Sequence, residues 1–204
     1  MIDLALLLLR VTVGSLLAGH GAQKLFGSFG GSGLEGTSGW LESMGFRPGR
    51  RWAFAAGGAE FGGGLLTALG LLNPLGPVTA SSSMVVAVAK AHKGKPIWVT
   101  AGGAELPITN LAALGAVALA GPGAFSLDRA FGVRIPAWVS FLATAGTAWF
   151  TWMSIQQSEQ APQEAPRGAE AEPERMRESV TPPSSGTSPE AGTENEQEQH
   201  SSAI

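Results

Sequence analysis

The amino-acid sequence predicts an all-α protein, a polytopic bundle of transmembrane helices over residues 1–155 followed by a disordered acidic tail over residues 156–204. Three observations carry this reading. The charge is divided: residues 1–155 hold ten Lys and Arg against six Asp and Glu, a net of +4, whereas residues 156–204 hold three against ten, a net of −7. The apolar residues of the first part come in blocks of about 17–22 rather than on one face of amphipathic elements, and at about 1.5 Å per residue such a block crosses a hydrocarbon layer about 30 Å thick. The second part has no aromatic residue and almost no branched aliphatic one, too little apolar surface to offset the entropy of ordering a backbone. His200 falls in that tail.

Five spans follow in order. The first, at 4–24, is a Leu- and Val-rich run that nevertheless carries Arg10, His20 and Lys24. A cleaved signal peptide fits it poorly, because no basic stretch precedes the apolar run and Arg10 interrupts it. The second, at 52–72, contains Glu60. The third, at 75–91, is weakened by Ser81, Ser82 and Ser83, but helical serines bond back to preceding carbonyls, and without this span Lys24 and Lys90 would lie on opposite sides. The fourth, at 104–120, opens with Glu105 and has Pro107 in its first turn, where a missing N–H costs little. The fifth, at 137–155, is flanked by Pro136 and Trp138 at one end and by Trp149 and Trp152 at the other, a pattern of interfacial anchoring. In the long first connection, Thr37 or Ser38 is placed to cap a short helix bearing Trp40, Leu41 and Met44, a lid lying in the interface.

With five spans, the first loop, the third loop and the tail share a side. Arg47, Arg50, Arg51, Lys93 and Lys95 lie there, against only Arg129 and Arg134 in the loops opposite. The positive-inside rule then sets the N-terminus outside and the tail in the cytoplasm, in a cell (inner) membrane.

Several chemistries are excluded. Cysteine is absent, which removes disulfides, thiolate nucleophiles and Cys-ligated metal centres. No P-loop, G-x-S-x-G or H-E-x-x-H motif is present. The glycine-rich stretches follow no strand, no metal-ligand spacing is evident, and the few basic residues cluster at membrane edges rather than forming a nucleic-acid footprint.

What remains is a set of ionisable groups at membrane depth. His20 and Lys24, four apart, share a helical face, and Glu60 lies roughly 12 Å below the same boundary. Lys90, His92 and Glu105 end or begin their spans at that leaflet, while Arg10 enters from the other end. A lone charge near the bilayer centre costs on the order of 3 kcal/mol, so Glu60 must be neutralised, paired or hydrated. The cluster therefore reads either as a polar cavity that binds a head group or handles protons, or as ion pairs that fix helix register. Lys90 and Lys93 read as interfacial anchors. Gly58 with Gly62 and Gly14 with Ala18 are small-residue pairs suited to close helix packing beside Glu60.

Three stretches, HGAQKLFGSFGGSGLEGT, AAGGAEFGGGLLTALGLL and GGAELPITNLAAL, resemble in order and spacing the signature regions of the DoxX family of bacterial and archaeal membrane proteins, over roughly Leu4 to Leu127. The motif positions are His20, Gln23, Lys24, Gly30, Gly31, Glu60, Gly63 and Glu105. The resemblance implies a four-helix membrane core, which the fifth span and the tail extend. It also implies association with quinone-linked sulfur oxidation or oxidative-stress systems, as a small subunit or membrane partner of an oxidoreductase.

Together these points predict a polar cluster of His20, Lys24, Glu60 and Glu105 that handles a quinone head group or protons, with Arg10, Gln23, Lys90 and His92 as secondary members. His20 and Lys24 would donate to quinone oxygens. The chain carries no cofactor of its own, so electrons would arrive through a soluble or membrane redox partner and autonomous turnover is not expected. Membrane lipid is the surrounding partner, and association with like or unlike chains is left open. A non-enzymatic scaffold or accessory subunit, a small-molecule transporter, and a haem held by His20 and His92 are the competing readings.

Overall fold

The computed structural model describes residues 1–160, so the predicted disordered tail lies outside the described residues apart from its first five. The described chain is helical with no strand: α1 (Ile2–Phe26), α2 (Gly33–Ser43), α3 (Gly49–Leu69), α4 (Leu75–Val86), α5 (Glu105–Ala120), α6 (Leu127–Phe131) and α7 (Ala137–Gln160). Each of the five predicted spans is a helix, with shifted ends. The second starts at Gly49, directly after Pro48, and stops at Gly70, which takes the left-handed conformation (φ 63°) that a helix C-terminus needs and a side chain resists. The third is α-helical only to Val86 and finishes in a π-helical turn, Ala87–Ala91. The fifth runs on to Gln160, past the boundary read from composition.

Of the described helices, only α1 combines the length and the hydropathy of a membrane span. The helix α4 with its π-turn and α5 are apolar but shorter, at 10–17 residues. The short connections Ser28–Gly30 and Val99–Ala101 are 3₁₀ turns.

The close pair at the centre is α1 with α3, and its register explains much of the rest. Residues Arg10, Gly14, Leu17, Gly21 and Lys24 follow one another at alternating steps of four and three, which keeps them on one stripe of α1. A Cβ on Gly21 would stand 2.3 Å from the Phe61 amide nitrogen, and one on Gly64 would stand 2.5 Å from that of Ala18. Backbone thus meets backbone along this seam. The expected Gly58–Gly62 pair is not part of it, since a Cβ on either meets nothing within 4 Å. Gly57 and Gly64 face α1 instead, and Gly63 faces α4, where a Cβ would come 2.8 Å from the Ala80 nitrogen. The run of three glycines hid the register: Gly62, Gly63 and Gly64 differ by about 100° each around the helix.

The helix α4 then touches α3, α5 and α7, and α7 packs on α4. Beside an apolar core that includes Leu17, Leu114 and Val117, many large apolar side chains face outward. Leu4, Leu8, Val11 and Leu16 of α1 and Trp138, Phe141, Leu142, Trp149 and Trp152 of α7 are exposed, whereas Arg10, Glu60, Thr67, Ser83, Thr151 and Ser154 are buried. A small apolar core, Leu41, Phe46 and Ala53 with Trp52 and Val86 against it, binds α2 and its following loop to α3 and α4.

Candidate functional site

The stripe of α1 sorts the three basic residues that its apolar run carries. Arg10 and Lys24 lie on the packed side and His20 lies off it, rotated about 40° beyond Lys24. His20 is exposed, and its Nδ1 pairs with Gln23 Oε1 at 3.1 Å. Lys24 Nζ makes an ion pair and hydrogen bond with Glu60 Oε1. Glu60 is 1% exposed and the Lys24 side chain 28%, so the pair spans from the bundle interior to its edge. The other carboxylate oxygen, Glu60 Oε2, is buried with no partner among the described residues.

Arg10, also buried, donates from Nη1 to Ala68 O and from Nη2 to Phe125 O. These carbonyls belong to the C-terminal turn of α3 and to the loop before α6, so the guanidinium ties that helix end to that loop and does not bond to Glu60. Nearby, the buried Asp128 accepts from Leu72 N (2.7 Å) and Asn73 N (2.8 Å). Leu72 has φ 54°, a left-handed conformation unfavourable to a branched side chain, and the Asp128 carboxylate holds it.

Of the predicted cluster, the structure joins Lys24 to Glu60 and gives the other members partners of their own. Glu105 Oε2 accepts from Val99 N at 2.9 Å and so closes the loop before α5. His92 Nδ1 contacts Gly102 O at 2.7 Å in the same loop. Lys90 and Lys93 face Glu159 of α7 at 3.8 and 3.4 Å. The four-residue convergence on Glu60 is thus replaced by a single pair, because the loop 92–104 supplies backbone groups that His92 and Glu105 satisfy locally. No group of three or more metal-ligating side chains occurs among the described residues.

Two cavities meet at Lys24. A chamber of about 550 Å³ lies between α3, α4 and α7, walled by Trp52, Phe54, Val86 and Phe150 and reaching Lys24 and Glu60. A smaller cavity of about 330 Å³ on the other side is lined by His20, Gln23, Lys24, Gly31, Thr37 and Trp40. Trp40 of α2 borders both. The predicted lid helix is present as α2, but it starts at Gly33, so Thr37 is internal: its hydroxyl donates to Lys24 O at 3.3 Å, fastening α2 over the end of α1.

Sequence reasoning missed the floor of the chamber. Thr147, Thr151 and Ser154 line it from α7, at i, i+4 and i+7. With Ser158 they form a hydroxyl stripe whose helical spacing was there to be read. Thr151 and Ser154 spend their hydroxyls on Thr147 O and Thr151 O, both at 2.7 Å.

Neither a curated protein nor a solved structure matches the chain. The DoxX family model matches residues 5–93, which takes in α1 to α4, both partners of the Lys24–Glu60 pair, and the first two of the three resembling stretches; the third, around Glu105, lies beyond it. DoxX proteins are a membrane protein family, and over residues 5–93 this chain is similar to it.

Proposed function

We propose that the protein is a polytopic membrane subunit or partner of a quinone-linked oxidoreductase or oxidative-stress system, and that its chamber receives a lipid-soluble ligand whose head group meets the Lys24–Glu60 pair. One observation carries the reading: a buried ion pair closes an aromatic-walled chamber in a bundle whose outer surface is apolar. Intramembrane ionisable residues are expensive and mark ligand or proton sites. A chamber of about 550 Å³ is within the range of small-molecule sites, and its apolar walls favour a ligand that arrives from lipid.

The five long helices span the membrane together on this reading, the shorter ones covered by their neighbours. Lys24, at the basic-loop side, then faces the cytoplasm of an inner membrane. A quinone, when bound, supplies the electron- and proton-carrying chemistry. The chain's own contribution is to bind and orient it, to exclude water with α2, and to hold charge at Lys24 and Glu60. His20 is on the far side of Lys24 from the chamber, so it is placed to exchange protons with water rather than to touch the head group. Electrons come from a partner protein, and the scaffold reading differs in leaving the chamber empty.

The test is organic extraction of the protein purified from its own membranes. A stoichiometric quinone that is lost with Glu60→Gln, together with a co-purifying redox protein, supports the proposal. Quinone at the level of bulk lipid in both proteins overturns it and leaves the scaffold reading.

A further inference from the structure

Glu60, which borders the chamber, specifies the head group more narrowly than the reading above requires. Glu60 Oε1 is taken by Lys24, and Glu60 Oε2 is buried and unpartnered. An ionised carboxylate only accepts, so what this atom lacks is a donor. Of the six hydroxyls that line the wall, four are spent on backbone: Ser82 donates to Thr79 O at 2.7 Å, Ser83 to Ala56 O at 3.2 Å, and Thr151 and Ser154 as given above. A head group made of carbonyls alone would leave Oε2 as it is, and one bearing a hydroxyl would satisfy it.

Charge narrows the choice further. Lys24 already neutralises Glu60, so a cationic head group would add an uncompensated charge in a low-dielectric site, and an anionic one would oppose the carboxylate. The walls are aromatic, with Trp52 and Phe150 rings 5.8 Å apart and Phe54 nearby, which suits a ring in edge or offset contact.

We propose that the chamber selects a lipophilic phenol, a neutral aromatic ring on an apolar chain whose hydroxyl donates to Glu60 Oε2. In a quinone couple this is the reduced, hydroquinone member, the reverse of the donation from His20 and Lys24 to quinone oxygens that the sequence suggests. The proposal rests on the reading of the chamber as a site for a lipid-soluble ligand, and the test below separates the two.

The full chain in lipid nanodiscs is titrated with 4-nonylphenol and with its methyl ether, 4-nonylanisole, following the fluorescence of its tryptophans, two of which, Trp40 and Trp52, border the chamber. The phenol is expected to bind at least tenfold more tightly than the ether, equivalent to about 1.4 kcal/mol. Glu60→Gln should reduce that preference to less than about threefold, and Thr147→Trp, which fills the chamber from α7, should abolish binding of both. Equal binding of phenol and ether, both lost with Thr147→Trp, overturns the phenol proposal and leaves the lipid-soluble-ligand reading standing. No binding of either overturns both. A preference that survives Glu60→Gln overturns the assignment to Oε2. Should Glu60→Gln fail to fold, the wild-type ratio and Thr147→Trp still decide.

Discussion

Removing both partners of the Lys24–Glu60 pair should cost less than the sum of removing each alone, and the two single losses should differ. Lys24→Met leaves a carboxylate that is 1% exposed with neither oxygen partnered. Breaking a buried ion pair from one side costs about 3–5 kcal/mol, and because the Lys24 side chain is 28% exposed the lower end applies, about 3 kcal/mol. Glu60→Gln leaves an ammonium that can swing out along the edge of the bundle toward water, so about 1–2 kcal/mol is expected. The double variant replaces both charges, and its loss should be smaller than the sum of the single losses by at least about 1 kcal/mol. Thermal unfolding in one detergent, followed through the six tryptophans, gives the three values relative to the parent protein. Additive losses, or a Lys24→Met protein as stable as the parent, would refute the claim that the two side chains form one buried unit.

Two further outcomes test how the bundle holds the pair. Gly21→Ala puts a Cβ 2.3 Å from the Phe61 nitrogen on a backbone that cannot yield as a side chain would, so about 1–3 kcal/mol should be lost, whereas Gly58→Ala meets nothing within 4 Å and should be neutral or slightly stabilising; the same melts compare them. Asp128→Ala removes both carboxylate bonds to the Leu72–Asn73 turn and should cost about 2–3 kcal/mol, with Leu72→Gly recovering about 1 kcal/mol of it by relieving the left-handed residue, as measured by denaturation of the double variant.

The helices were legible because hydrophobic block length and the Pro and Gly stops are local signals. Pro48 and Gly70 bound α3 by chemistry that depends on no other part of the chain. The pairing of Lys24 with Glu60 was half legible, since depth counting brings both to one leaflet, but depth says nothing about rotation. Rotation is set by which glycines meet a neighbour, and with Gly57, Gly58, Gly62, Gly63 and Gly64 all available, only contact with α1 and α4 selects among them. His20 was drawn into the cluster for the same reason: its step of four from Lys24 fixes the face, while the seam along Gly14, Leu17 and Gly21 decides which edge of that face is buried. The partners of Glu105 and His92 are not legible in the sequence, because they are loop backbone groups, Val99 N and Gly102 O, which composition does not announce. Arg10 found carbonyls rather than a carboxylate by the same rule. Buried charges seek whatever unsatisfied backbone lies within reach, and helix ends offer it.

On the proposed reading, the chamber beside Glu60 is filled from the lipid phase. The most direct measurement is photolabelling of the protein in its own membranes with a lipophilic diazirine-bearing alkylphenol, with the sites mapped by mass spectrometry. Labels are expected on the Trp52, Phe54 and Phe150 segments that wall the chamber, suppressed by excess 4-nonylphenol and absent in Thr147→Trp. Labels confined to the outward residues Trp138 and Phe141, and unaffected by competitor, would contradict it.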